Sequence, residues 1–345
     1  MKKVVTILGL SSLVLSPMAM AEYTVYGKAH LAIATESPDS GSSTTEMVSR
    51  ASRVGIKGKT ELTEGLDAIY KWESEVDLTG ENGGHLKARN QFIGLKGSFG
   101  KVIGGIHDTP MKQAEGKIDL FSDREDMATV LSHTVDVQER EKQLLGYYSP
   151  KLGHLHFNIA TMPGSGSGGK DNELGDAWSA ALIYGDKKLK KSNFYAAIAY
   201  DDEVDKGTGL FGKSTNAIRL AAQTKLGQAK IGGIIEQAEE GSADHTRYVI
   251  SGKYNISHKT ALLAQYVAAD EFGNFSRNNT SKGVGSSDDF ILGIDHKLGK
   301  HTTVYAMGGV RDLGDTSTGN GNVADLKNKE QTSYFSVGIM HKFSF

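Results

Sequence analysis

Apolar and polar residues alternate with a period of two along most of this chain, in runs of about ten residues, and helical stripes of useful length are absent. Between Tyr23 and Ile33, Val25, Ala29, Leu31 and Ile33 alternate with Thr24, Tyr26, Lys28 and His30. Between Leu66 and Glu75, Leu66, Ala68, Tyr70 and Trp72 oppose Asp67, Lys71, Glu73 and Glu75. Sixteen such runs can be read, the last from Thr332 to Phe345, where Phe335, Val337, Ile339, Phe343 and Phe345 share one face with His341. The connections between runs also alternate. Tight ones (Thr63 to Gly65, Gly97 to Gly100, Pro150 to Gly153, Gly185 to Lys191, Leu226 to Gln228) take turns with long polar ones (Glu36 to Ser49, His107 to Glu139, Pro163 to Asp176, Asp312 to Gln331). An even number of ten-residue alternating strands, joined by short turns at one end and long loops at the other, is the pattern of an all-β, 16-stranded antiparallel transmembrane β-barrel with short periplasmic turns and long external loops. The one stretch that breaks the rhythm is His107 to Glu139, and a connection of that length usually carries function.

Composition agrees without deciding the matter. Mean hydropathy is −0.34, which suits a barrel because lumen-facing residues dilute the lipid-facing ones. Residues 1–21 read as a secretory signal peptide: Lys2 and Lys3, an apolar run from Val4 to Leu15, then the small-x-small site Ala19-Met20-Ala21. The remaining domain is 22–345, and it holds no cysteine. Without the two leader lysines, 37 basic side chains stand against 41 acidic ones, a balance that excludes a broadly basic nucleic-acid binder. A barrel in lipid must close on itself to satisfy its backbone, so the terminal strand is expected to pair with the first.

Several stretches resemble the general (nonspecific) porins of Gram-negative outer membranes. They are Tyr23-Thr24-Val25-Tyr26-Gly27-Lys28, Ser52-Arg53-Val54-Gly55-Ile56-Lys57-Gly58, Gly65-Leu66-Asp67-Ala68-Ile69-Tyr70, the run Arg89 to Lys101, Tyr147-Tyr148-Ser149-Pro150 and the terminal Phe345. The resemblance spans essentially the whole chain after residue 21. It implies a homotrimer in the outer membrane, in contact with membrane lipids and lipopolysaccharide, whose third external loop folds into the lumen. It also implies that the C-terminal strand ending in Phe345 is an assembly signal read by the barrel-assembly machinery. The expected function is passive diffusion of ions and small hydrophilic solutes. The sequence departs from the family where relatives often carry arginines on the fifth strand; those positions are read here as Ile103 and Ile106, so a thin basic wall and a lean toward cations are expected.

A charged constriction needs bases on one wall and carboxylates on the loop opposite. Strand parity offers Lys28, Arg53, Lys57, Lys71, Arg89, Arg140 and Lys142 as the basic wall, and the long third loop offers Asp119, Asp123, Glu125 and Asp126. A substrate-selective porin, for oligosaccharides for example, is the alternative; Trp72, Trp178 and the tyrosines suit either interface girdles or a sugar path. An enzyme is not expected, because the histidines are scattered and no nucleophile elbow or paired carboxylates are evident. No cofactor or metal is expected either. Gly164 to Lys170 imitates a phosphate-binding loop, but Asp171 stands where the motif needs Ser or Thr.

Overall fold

The computed structural model describes residues 22–81, 83, 86–124, 140–163, 174–204, 215–240, 243–272, 274–277, 280–283, 286–313 and 330–345. Sixteen strands make the wall of one closed antiparallel barrel. The first eight are β1 (Glu22–Pro38), β2 (Arg53–Thr63), β3 (Leu66–Glu75), β4 (Gln91–Gly97), β5 (Gly100–Asp108), β6 (Arg140–Tyr148), β7 (Leu155–Thr161) and β8 (Trp178–Gly185). The second eight are β9 (Phe194–Val204), β10 (Thr215–Leu226), β11 (Ala229–Glu240), β12 (Ala243–Asn255), β13 (Thr260–Phe272), β14 (Ser287–Lys297), β15 (Thr302–Leu313) and β16 (Glu330–Ser344). Each pairs with its neighbours in sequence. β1 also pairs with β16 from Tyr26↔Ser344 to Pro38↔Thr332, which closes the ring. Val25 and Phe345 exchange backbone hydrogen bonds at 3.2 and 2.8 Å, so the chain is paired to its last residue.

Alternation sorts the side chains as the sequence pattern requires. Leu182, Ile198, Leu220, Ile235, Ile250 and Phe335 stand on the outer surface, about half exposed. An apolar belt of this extent on a water-facing surface would be costly, and lipid removes that cost. Trp72 is exposed on this face too, and Trp178 packs against Tyr200 with ring centroids 5.2 Å apart. Among the described residues no helix is long and apolar enough to cross a membrane; the strands do the crossing.

Strands run past the alternating segments at the loop end. β1 reaches Pro38 and β13 reaches Phe272, and a short strand Thr44–Ser49 folds back on β1 with Leu31↔Ser49 in register. Beyond Ala34, β1 carries Thr35, Glu36 and Ser37, so its ladder continues where the hydrophobic signal has stopped. The turn end is tighter. Gly100 closes the β4–β5 hairpin with φ +103°, and a Cβ there would lie 2.2 Å from the Tyr148 carbonyl oxygen. Gly100→Ala is expected to destabilise the barrel by ~1–3 kcal/mol through backbone strain, read as a lower denaturant midpoint of the detergent-folded protein.

Candidate functional site

The third loop leaves β5 and lies inside the barrel. Thr109 caps a short helix, α1 (Pro110–Ala114), its hydroxyl accepting the Lys112 N–H at 3.1 Å, and Pro110 pre-sets the first turn. From there the loop passes along the far wall, fastened strand by strand. Ser179 on β8 accepts the Met111 N–H at 3.0 Å. Arg219 on β10 donates to the Met111 carbonyl at 3.1 Å, Tyr195 on β9 to the Ala114 carbonyl at 2.9 Å, and Ser251 on β12 to the Ile118 carbonyl at 2.6 Å. Gln265 on β13 accepts from Leu120 N at 2.9 Å and donates to Asp119 at 3.0 Å. Arg124 pairs with Asp295 on β14 at 2.8 Å and lies 4.1 Å from the centre of the Tyr305 ring on β15.

Packing supports these bonds. Met111, Ala114, Ile118 and Phe121 are fully buried, and small lumen-facing residues such as Ala181, Ala199, Ala217 and Ala221 make room for the loop. At Gly293 an added Cβ would meet the Phe121 ring at 2.7 Å, so that glycine keeps the loop's path clear. Beneath α1, Glu236 on β11 joins two guanidiniums: it accepts from Arg219 Nε at 2.6 Å and, at its other oxygen, from Arg247 Nη1 at 2.6 Å. All three side chains are at most 1% exposed. The sequence reading missed this triad, because Arg219, Glu236 and Arg247 look like ordinary lumenal charges on separate strands.

The loop ends its crossing at the early strands. Asp123 Oδ2 meets Lys28 Nζ at 2.8 Å and Arg53 Nη2 at 2.5 Å. Burial opposes ionisation of Asp123, but Arg53 and Lys28 outweigh it and hold the carboxyl well below the usual carboxylate range. Asp123 has φ +65°, a left-handed conformation that Asp tolerates better than most residues. Arg89 pairs with Glu75 at 2.6 Å and Glu73 at 3.3 Å, and Lys71 with Glu73 at 3.2 Å. Arg140 pairs with Asp108 at 2.9 Å.

Arg53, Arg89 and Arg140 therefore meet Asp119 and Asp123 around one cavity of about 380 Å³, together with Asp108, Lys112 and Glu115. Lys28 lies under Asp123, nearly buried. Lys57 and Lys71 sit nearer the turns, 5.4 and 5.9 Å from the centre of the Tyr26 ring. Lys142 is exposed beside a bulge at Gln143 (φ +53°) and does not line this cavity. Glu125 and Asp126, like residues 1–21 and the glycine-rich stretch 164–170, lie outside the described residues. Ile103 and Ile106 cannot both replace wall arginines. Ile103 is buried on the lumenal side, whereas Ile106 pairs with Gln91 on the outward-facing register of β4. Glu73 and Glu75 were legible by parity, and their effect is to compensate the basic wall from within.

A closed barrel with an apolar outer belt and a charged, loop-narrowed lumen defines an outer-membrane channel for small solutes. The chain belongs to the Gram-negative porin family, whose profile matches residues 8–316. It is 23% identical to the major outer membrane protein P.IB of Neisseria sicca over 376 aligned positions, covering 99% of this chain and all of that protein. A P.IB protein of Neisseria gonorrhoeae is 27% identical, with 90% of this chain and 93% of the relative covered. Among solved structures, the anion-selective porin from Comamonas acidovorans matches with a TM-score of 0.75 at 21% identity, over 94% of this chain and 100% of that one. The chain is a channel rather than an enzyme, and it resides in the outer membrane.

Proposed function

We propose that this porin passes ions and small hydrophilic solutes passively through a constriction built by the third loop and the basic wall of β1–β6. Six bases and four carboxylates line the constriction cavity, and this local excess of positive charge carries the reading. The acidic balance of the whole chain points toward cations, but a permeating ion responds to the lumen: there Asp123 pairs with Lys28 and Arg53, Asp108 with Arg140, and Arg89 with Glu73 and Glu75, while Lys117 and Lys187 have no ion-pair partner among the described residues. Anions are therefore the preferred ions. Both tryptophans face outward, and the lumenal Tyr148, Tyr195, Tyr305 and Tyr334 are buried against the third loop and the wall, which leaves them little open aromatic surface for an oligosaccharide path.

The functional unit in this reading is a homotrimer, with lipopolysaccharide against its outer-leaflet belt. Residues 1–21 direct export, and the paired, aromatic C-terminal strand ending in Phe345 is presented to the barrel-assembly machinery. In planar bilayers the folded protein is expected to give stepwise conductance, three steps per insertion. A KCl gradient should give a reversal potential of chloride sign. A reversal potential of potassium sign would overturn the anion preference, and folded protein without conductance would overturn the channel itself.

A further inference from the structure

Below the constriction the lumen widens into a second cavity of about 780 Å³ at the turn end of the barrel. Its lining is unusually one-sided. Lys188, Lys190, Lys225, Lys230, Lys253 and Lys342 face it from the wall and turns, and Lys117 from the third loop. Its three carboxylates are occupied elsewhere: Asp295 by Arg124, Asp123 by Lys28 and Arg53, and Asp119 by Gln265 and the Phe121 N–H. None of the seven lysines has a carboxylate within ion-pair distance among the described residues. Lys230 does donate to the Lys117 carbonyl, but that bond leaves its charge uncompensated.

One turn is built to hold two of these lysines over the opening. Between β8 and β9 the chain reads Asp186-Lys187-Lys188-Leu189-Lys190-Lys191, which in sequence looks like a solvated turn. Leu189 instead points inward, 6% exposed, in the same apolar cluster as Met111, Ile118 and Tyr195. Its φ is +53°, a costly conformation for leucine that surrounding structure must enforce. The enforcement is visible. The Asp186 carboxylate accepts the N–H groups of Lys188, Lys190 and Lys191 at 3.0, 3.0 and 3.1 Å, and Gln223 donates to the Lys187 carbonyl at 2.7 Å. Pinned in this way, the turn carries Lys188 and Lys190 on either side of the buried leucine, at the cavity's edge.

We propose that this periplasmic lysine collar, which adjoins the third-loop constriction and shares Lys117 with it, is a docking site for compact multivalent oxyanions loaded from the periplasmic side. Ammonium groups are point charges with freely rotating donors, so they collect charge on phosphate or carboxylate oxygens without demanding one geometry. Seven lysines outside any ion pair among the described residues outnumber the cavity's carboxylates and favour an anion of three or more charges over chloride, because each added charge is attracted by every lysine.

The proposal rests on the channel reading and is tested on the same currents. Single-channel recordings at 0.1 M KCl receive sodium tripolyphosphate, and separately citrate, on one side at a time. Orientation is set by Ser42→Cys in the first external hairpin, labelled with an impermeant polyethylene-glycol maleimide, since the chain has no other cysteine. The half-blocking concentration of tripolyphosphate is expected to be at least tenfold lower from the periplasmic side. The Lys188→Gln/Lys190→Gln double variant, whose side chains are exposed, should raise it several-fold, and 1 M KCl should remove most of the block by screening. Citrate blocking in parallel supports a charge-reading collar; block by tripolyphosphate alone narrows the class to phosphates. Equal block from both sides, or block unchanged in the double variant, overturns the proposal while leaving the channel intact. Absence of any current from folded protein overturns the channel reading instead.

Discussion

Replacing Glu236 by glutamine is expected to loosen the third loop and to destabilise the barrel by ~3–5 kcal/mol, the usual cost of stripping a buried ion pair of one partner. Glutamine keeps the size and the acceptor oxygen of glutamate but not the charge. Arg219 and Arg247 would then stand side by side, 0 and 1% exposed, with their shared counter-charge gone. The loss does not stay local. Arg219 also holds the Met111 carbonyl, so any shift of its guanidinium away from Arg247 pulls on α1. Two measurements separate stability from function. The denaturant midpoint of the folded protein should fall, and single-channel traces should show added open-state noise as the loop samples positions off the wall. A control distinguishes this from general damage: Gly100→Ala should lower the midpoint as well, but it lies at the β4–β5 turn and should leave the noise unchanged. A quiet channel from Glu236→Gln would mean that the remaining contacts from Tyr195, Ser251, Gln265 and Asp295 hold the loop without the triad.

These contacts also explain which parts of the molecule were legible in its sequence. Lipid on one side and water on the other force a period of two, so β3 appears as Leu66, Ala68, Tyr70 and Trp72 against Lys71, Glu73 and Glu75, and the fold runs to Leu66–Glu75 as read. Strand ends beyond the lipid are invisible to that signal, which is why β1 and β13 are longer than their alternation. Arg53 lies inward because strand parity alone sends its side chain there; Arg89 precedes β4, whose alternation would point it outward with Ile93 and Leu95, and it reaches the lumen only because the chain leaves the strand pattern before Gln91. Lys142 was read by the same rule and fell beside a bulge, where parity stops being reliable. The loop's course was beyond any local rule. Met111 is held by Arg219, 108 positions away, and Ile118 by Ser251, 133 positions away. Lumenal alanines that admit the loop look no different from alanines that face lipid. The same holds for Leu189, whose neighbours suggest a solvated turn while its contacts lie on the third loop and β9. Pairing of charges was equally hidden. The residue types for a constriction could be named, but whether Asp123 faced the basic wall across water or touched it depended on where the loop ended.

Because Asp123 touches that wall, Asp123→Asn is expected to change ion selectivity more than any other single change at the constriction. The carboxylate now neutralises most of the field of Lys28 and Arg53, at 2.8 and 2.5 Å. Removing it leaves the charges of two cations unopposed beside the pathway; stripping the nearly buried Lys28 of its counter-charge lowers stability, while asparagine retains an acceptor for one of them and tolerates the left-handed backbone at φ +65°. One unit of charge at ~5 Å from a permeating ion in water-like surroundings is worth ~0.8 kcal/mol. The sign is favourable for an anion and unfavourable for a cation, so the chloride-to-potassium permeability ratio should rise at least ~3-fold, read from the reversal potential under a KCl gradient. The effect should shrink at 1 M salt, where the screening length approaches ~3 Å. Acidification offers an independent check. The Asp123 carboxyl is depressed, so its ionised form, and the stabilisation it gives Lys28 and Arg53, is complete above the ordinary carboxylate range and is lost only as pH falls through its lower folded value. Lowering the pH from 7 to 5 should therefore leave the difference between wild type and Asp123→Asn intact. If the two proteins converged in selectivity over that interval, Asp123 would be protonating within it, and the close contact with Lys28 and Arg53 would not describe the conducting channel.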